Sequence, residues 1–388
     1  MVFKMKQFKS FLASNHFWIF VISFIALFAF AEFNSGKFWT NDFKVYYLAT
    51  IDFFNGNNPY VHNYGLDTGY FKYPPFTLYL FQPFTLFSFG IAQFIHLLFT
   101  TTSLCFSFHL TFELLSQLKI GLKKGFLYLG FLLVAIHLVR EFHMGNINLY
   151  LLVLFLAGLY QNPNNYLLSA FFWSLMLILK PIMILSILLL VFYKEWKTIL
   201  WMIGFGVLFF LFPIITQGWS GNIVLWSGWL ESLSSHGEYI ISENSLTYLA
   251  NYYLGIQSQW GPSIFILLAL VGLFLNDFLT SKKISFVEWM IIFTAFSPNF
   301  FVTDTQHFLL SLPLIFIYLG RMKHQQSILS LIIFIIASLL FSFNSNDLWG
   351  KDLSTIFDEA GVLGLGNLLF IAGYLIHMKL SKKRFSLS

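Results

Sequence analysis

Apolar residues run along this chain in stretches of roughly 17 to 25, long enough as helices to cross about 30 Å of hydrocarbon, with short polar turns between them. The first stretch is 15–33, and the pattern predicts further spans near 74–90, 92–117, 124–140, 146–161, 166–193, 197–216, 262–280, 286–303, 306–320, 327–343 and 361–379. The chain reads as an all-α polytopic membrane protein of about twelve transmembrane helices, one domain over residues 1–388, with no fixed-period repeat or low-complexity tract. Three polar segments interrupt the pattern: 34–73, 217–260 and 297–306.

Charge orders these segments. Basic turns at Lys194/Lys197, Lys282/Lys283, Arg321/Lys323 and Lys379 to Arg384 belong in the cytoplasm, as does an N-terminus carrying Lys4, Lys6 and Lys9, so the number of crossings is even. Both termini then lie inside and the three polar segments outside. Two full crossings between Pro74 and Leu118 would strand Lys119, Lys123 and Lys124 on the outer side. Two chain paths answer the conflict. In the first, 74–90 is interfacial or re-entrant and 166–193 breaks in two at Lys180-Pro181, which puts Gly145-Asn146 and Lys180 outside. In the second, 166–193 is one long tilted helix and the basic turn is tolerated outside. The first breaks no charge rule and is preferred.

Composition excludes a soluble domain: 57% of residues are hydrophobic, 21% aromatic and only 10% charged, with a mean hydropathy of +0.73. No small-residue cleavage site follows 15–33, which reads as a retained span. Cys105, alone in an apolar run, offers neither a disulfide framework nor a cysteine metal site. The net charge of +5 comes from short basic loops, so no nucleic-acid partner is read into it. The chain lacks Asp-x-Asp, His-Glu-x-x-His, an EF-hand loop, a phosphate-cradling glycine loop and a Gly-x-Ser-x-Gly elbow, which turns the reading away from nucleotide- and metal-dependent mechanisms.

Residues 40–55 carry a helical pattern, with Thr40 or Asn41 placed to cap it and Gly56 to Pro59 to stop it. Phe43, Tyr46, Tyr47, Ile51 and Phe54 make it amphipathic and suited to the interface. Asp42 in its first turn is either an acid favoured by the helix dipole or a base facing a lipid-linked substrate at the end of the first span. Lys72 precedes Tyr73-Pro74-Pro75, whose stiffness aims it; it either snorkels or holds a lipid phosphate. Lys180 sits inside an apolar run, where an unpaired ammonium costs on the order of 3 kcal/mol. It serves a substrate, or it is paired by the carbonyls that Pro181 frees.

Two polar knots remain open between architecture and chemistry. In one, Arg140, Glu141 and His143 precede Gly145-Asn146-Ile147-Asn148; Arg140 and Glu141 interact locally or join a site, and Asn146 caps or binds. In the other, Ser297-Pro298-Asn299 precedes Asp304, Gln306 and His307, which are span-end contacts or hydrogen bonds for a sugar or phosphate. Glu238, Glu243 and Asn244 lead into a helix in the large polar segment, and Asn244 either caps it or holds a ligand.

In this order the motifs Asp42 to Ala49, Gly56-Asn57-Asn58-Pro59-Tyr60, Tyr73-Pro74-Pro75, Gly145-Asn146-Ile147-Asn148, Leu179-Lys180-Pro181, Asn244-Ser245-Leu246 and Ser297-Pro298 resemble glycosyltransferase family 87. These are polyprenyl-phosphate-sugar-dependent enzymes of the GT-C superfamily, among them a polyprenyl-phosphomannose-dependent mannosyltransferase. The resemblance implies a GT-C-type fold with amphipathic helices in the first outer loop, placed in a bacterial inner membrane. It implies transfer of a hexose, mannose foremost, to a lipid-linked or glycan acceptor, with the polyprenyl-phosphate sugar as donor substrate and with neither cofactor nor metal. Carried over by position, Asp42 is the general base; Lys180, Lys72 and, just after Ser-Pro, His307 face the donor phosphate. Tyr46, Tyr60, Tyr73, Asn146, Asn148, Glu243, Asn244 and Gln306 are the expected substrate contacts. The chain departs from the family at Asn146, usually Gln, and after Ser297-Pro298, where the family segment is bulkier and contains His.

The chemistry stands on its own terms. A polyprenyl phosphate leaves already charged and needs only cationic stabilisation, so one base and one or two lysines suffice for an inverting displacement. The rival class is a lipid or oligosaccharide transporter, in which polar residues gather near the midplane, commonly with an internal repeat.

Overall fold

The computed structural model describes residues 15–65, 69–234, 242–281, 283–300, 304–324, 327–342 and 345–380. Among them the fold is all-helical, and the only β pairing is an isolated bridge between Asn63 and Tyr70. The first half of the chain forms α1 (Asn15–Ser35), α2 (Asn41–Phe54), α3 (Phe76–Phe81), α4 (Phe89–Gln117), α5 (Lys124–Met144), α6 (Asn148–Gln161), α7 (Tyr166–Leu179), α8 (Leu189–Phe192) and α9 (Trp196–Leu211). The second half forms α10 (Ile214–Ser234), α11 (Leu246–Leu254), α12 (Gly261–Asn276), α13 (Phe286–Phe300), α14 (Leu312–His324), α15 (Ile328–Ser342), α16 (Asn346–Glu359) and α17 (Val362–Leu380).

By length and composition α1, α4, α5, α12 with its following turn, and α17 suffice to cross a membrane, and α9 with α10 makes a sixth if that bent pair is one span. This is a multi-pass membrane protein, but the expected twelve spans are not all long helices. Proline is the main reason. Residues 74–90 form only the short α3 and a 3₁₀ turn, Gln82–Leu86. The expected span 166–193 ends at Leu179, because the residue before a proline is pushed out of the α region; Lys180 is extended (φ −143°, ψ 102°) and Pro181–Ile187 continues as a 3₁₀ helix. Both breaks are those of the first chain path.

The segment 217–260, expected as a polar loop, is largely helical. Around Pro213 the chain turns by 88° from α9 into α10, which exposes Ile215, Trp219, Ile223 and Val224 as an interfacial helix does. α11 follows, capped by Ser245, whose Oγ accepts from the Tyr248 N–H at 3.1 Å. Glu238 lies outside the described residues. α16 was not expected either; it is broken at Gly350 and exposes Leu348, Trp349, Leu353 and Ile356.

Aromatic rings fill the core. Phe17 of α1 meets Phe108 of α4 and Tyr128 and Phe131 of α5 edge to face, at centroid distances of 5.6, 5.5 and 6.5 Å. α6 and α7 approach through Gly158: a Cβ there would lie 2.4 Å from the Trp173 indole nitrogen, which donates to the Phe155 carbonyl at 3.1 Å. At the other end of α13 from Pro298, buried Glu288 accepts from Arg321 Nε (3.0 Å) and Nη2 (2.6 Å) and from the Tyr374 hydroxyl (2.6 Å). Arg321→Met would leave that carboxylate buried without its cation, and is expected to destabilise the fold by about 3–5 kcal/mol. Pairing it with Glu288→Gln should recover part of the loss, read by thermal unfolding in detergent; equal midpoints for wild type and single variant would refute the pairing.

Candidate active site

Asp42 is placed by two turns pressed together. At the start of α2, Thr40 takes a left-handed conformation (φ 38°), unusual for a β-branched residue. It is held there from both sides: its N–H donates to the His143 carbonyl at 2.9 Å, and its hydroxyl accepts from Gln93 Nε2 at 2.6 Å. Thr40 therefore precedes the helix without capping it through its side chain. Gly145 ends α5 with φ 66°, and a Cβ on it would lie 2.9 Å from Phe43 Cβ and 3.0 Å from Thr40 Cβ, so only glycine admits both the conformation and the contact. Phe43 stacks on His96 (4.3 Å, 15°), which bonds the Gly145 carbonyl through Nε2 at 3.0 Å and Tyr150 through Nδ1 at 2.9 Å.

Across this contact Asn146 Nδ2 donates to Asp42 Oδ2 at 2.6 Å. Burial pushes the Asp42 carboxyl up to about 7, and nearby Asp304 adds to the shift; Lys180, the Asn146 hydrogen bond and Lys72 oppose it. The result is a carboxyl poised between its two protonation states at neutral pH.

Lys180 reaches the same place from the proline break. Its Nζ donates to Asn148 Oδ1 at 3.1 Å and to His307 Nε2 at 2.7 Å, and it stands 5.9 Å from the centre of the Tyr73 ring. Because an ammonium has only donors, His307 accepts from it at Nε2; its Nδ1 faces the Asp304 backbone, 3.1 Å from the N–H and 3.2 Å from the carbonyl. Asn148 is fixed in turn by Glu141, fully buried, whose Oε2 accepts from Asn148 Nδ2 at 2.8 Å and Oε1 from the Leu149 N–H at 3.1 Å. Glu141 thus turns Asn148 so that its oxygen faces Lys180. Arg140 is exposed, and the local Arg140–Glu141 pair is not formed.

Tyr60, Tyr73 and Tyr46 form the facing wall. The Tyr46 and Tyr73 hydroxyls are 2.8 Å apart, and the Tyr60 hydroxyl donates to the Tyr73 carbonyl at 2.9 Å. α10 braces the same strand of chain: Trp229 Nε1 donates to the Lys72 carbonyl at 2.9 Å and Ser232 Oγ to that of Phe71 at 3.2 Å. Burial lowers the Lys72 ammonium, against the pull of Asp304 and Asp42. Gln306 is buried, with Nε2 3.4 Å from Asp304 Oδ2. Among the described residues no three His, Cys, Asp or Glu side chains gather as metal ligands.

Ten of the twelve expected site residues therefore converge on one cluster. Glu243 and Asn244 share no hydrogen bond with it. Asn244 neither caps α11 nor is left open: its Oδ1 accepts from the Gly364 N–H at 3.0 Å and its carbonyl from Asn299 Nδ2 at 3.1 Å. Glu243 is exposed, within electrostatic reach of Asp358 and Glu359. The sequence left Glu141 open between a local pair with Arg140 and a place in a site, and gave no role to His96 or Trp229. A histidine inside the apolar run of α4 was the available signal for His96; Trp229 had none beyond its place in a polar segment.

Carboxyl groups and an ammonium gathered in one cluster among apolar helices give this membrane protein a built polar site. Residues 71–298, more than half the chain, match the model of glycosyltransferase family 87, and the chain belongs to that family. It is a membrane glycosyltransferase. The match takes in Lys72, Tyr73, Asn146, Asn148, Lys180, Glu243 and Asn244, while Asp42, Tyr46, Tyr60, Gln306 and His307 lie outside it. No curated protein and no solved structure matches the chain.

Proposed function

We propose that this glycosyltransferase moves a hexose, mannose foremost, from a polyprenyl-phosphate donor to a hydroxyl of a lipid-linked or glycan acceptor at the outer face of a bacterial inner membrane. The observation that carries the reading is the convergence of Asp42 and Lys180, a proton acceptor and a cation, on one cluster. Asp42 takes the acceptor's hydroxyl proton as the oxygen attacks the anomeric carbon from the face opposite the phosphate. The bond from that carbon to the phosphate oxygen breaks with its electron pair, and the configuration inverts. Lys180 and Lys72 receive the charge that builds on the departing phosphate. His307, with both ring nitrogens engaged, acts on the phosphate through Lys180, whose third N–H is left for the anion. No cofactor or metal enters these steps.

The topology supports this placement. If the short helices α6, α7, 181–192, α13, α14 and α15 cross as well, the chain passes about twelve times with both ends cytoplasmic. The turns that supply the cluster, at Thr40, Gly145, Lys180 and Asp304, are then all outer turns. Incubating the purified protein with a panel of radiolabelled polyprenyl-phosphate sugars tests the reading. Transfer is expected from polyprenyl-phosphohexoses, with the product's anomeric configuration opposite to the donor's. Absence of product with every donor, or retained configuration, would overturn it.

A further inference from the structure

At the end of α13 away from the active site the helices leave a groove of about 510 Å³, within the roughly 300–1,000 Å³ of ligand sites, that the transfer reaction does not use. Two stripes face each other across it. One runs down α12 and its continuation, Leu273, Asn276, Asp277 and Thr280; the other runs down α17, Ala372, Leu375, Ile376 and Lys379. Each has the i, i+3, i+4, i+7 spacing of a single helix face, and each starts apolar and ends polar toward the same end of the bundle. Lys283 joins the polar end, its Nζ donating to the Lys379 carbonyl at 3.4 Å. Trp289 and Met378, both buried, form the floor, while Leu273 and Ile376 stand exposed as walls.

The groove's single carboxylate leaves this mouth net cationic, since Asp277 stands against both Lys283 and Lys379, and its oxygens are turned onto N–H groups of the fold. Asp277 Oδ1 accepts from the Lys283 N–H at 3.0 Å, and Oδ2 from the Ile284 N–H at 3.2 Å and Trp289 Nε1 at 3.1 Å. Asp277–Ser281 is a π-helical turn, a departure from α geometry that often accompanies function.

We infer that this groove binds an anionic phospholipid of the leaflet opposite the active site, with an acyl chain between the Leu273 and Ile376 walls and the phosphate between Lys283 and Lys379. An apolar slot with a basic mouth at a helix end is complementary to a lipid with a charged headgroup and not to a neutral one. In the topology proposed above this is the cytoplasmic leaflet, but the groove's chemistry does not depend on that reading or on the reaction.

The test is lipid retention by the full-length detergent-solubilised protein, counted by native mass spectrometry with phosphatidylglycerol or phosphatidylcholine. Wild type is expected to retain phosphatidylglycerol preferentially, and Lys283→Gln with Lys379→Gln to weaken it by roughly 5-fold per lysine. Ala372→Trp, which fills the slot with both lysines in place, should also lose the lipid, and Lys323→Gln, an exposed lysine that does not line the groove, should keep it. Equal retention of the two lipids by wild type would overturn the proposal, as would undiminished phosphatidylglycerol binding in Ala372→Trp. Displacement of phosphatidylglycerol by polyprenyl phosphate at equal concentration would overturn it too, making the groove a substrate or product site.

Discussion

Asp42→Asn is expected to lower hexose transfer by roughly 10²–10⁴-fold, the range of a lost general base, while leaving the fold intact. The amide oxygen can still accept from Asn146 Nδ2, so the contact between α2 and the Gly145 turn persists, but an amide takes no proton from the acceptor. The wild-type rate carries the same signature. With the carboxyl pushed up to about 7, only its ionised fraction works, so the rate should climb about tenfold per pH unit below 7 and level off above it.

Stability must run the opposite way. The folded state holds the Asp42 proton up to about 7 while the unfolded chain releases it near the ordinary carboxyl value of 3.8. Between those values the folded state binds more protons, so this group's contribution falls as pH rises through the window and is flat above it. Asp42→Asn removes that slope and should gain thermal stability relative to wild type on the alkaline side. A flat wild-type rate profile through neutrality, or full activity in the variant, would take the base away from Asp42.

Local rules make part of this site legible in the sequence. The helix at 41–54, Asp42 in its first turn and the break at Lys180 each follow from residues adjacent along the chain: an amphipathic pattern, a stop at Gly56, a proline acting on its predecessor. The charge rule likewise exposes 74–90 as a poor span. Glu141 is visible in the sequence but its partner is not: consecutive helical residues point about 100° apart, so Arg140 faces out and Glu141 in, toward Asn148 across the Gly145 turn. Glu288 and Arg321 are 33 positions apart, and only packing joins them. α10 escapes the hydropathy pattern because Gly218, Gly221, Gly228 and scattered polar residues dilute its apolar face, which an interfacial helix needs on one side only. Hydropathy also overcounts full-length spans, since it does not register that a proline ends a helix inside an apolar run.

Lys180→Met should produce the second large loss, roughly 10²–10³-fold in kcat/KM for the donor, since in the proposed reaction it deletes the charge that meets the leaving phosphate. Arginine should not restore it. The far side of the Lys180–His307 contact closes on Leu151, Met183, Pro298 and Leu310, with no room for a planar fork, and the bonds to Asn148 and His307 suit a compact ammonium. Two readouts separate a phosphate-binding lysine from one that merely fills a helix break. Donor KM should rise with the acceptor's little changed. The acid limb of the rate profile should also move to higher pH, because Lys180 is one of the groups holding the Asp42 carboxyl down. Glu141→Gln should raise the donor KM more weakly, about tenfold. Its amide keeps one acceptor where the carboxylate offers two, so either Asn148 Nδ2 or the Leu149 N–H meets a donor, and the hold that presents the Asn148 oxygen to Lys180 is loosened. An unchanged donor KM together with an unmoved acid limb in Lys180→Met would return the lysine to architecture. Donor KM in Glu141→Gln decides separately whether the buried carboxylate serves the reaction through Lys180 or only the packing of α5 against α6.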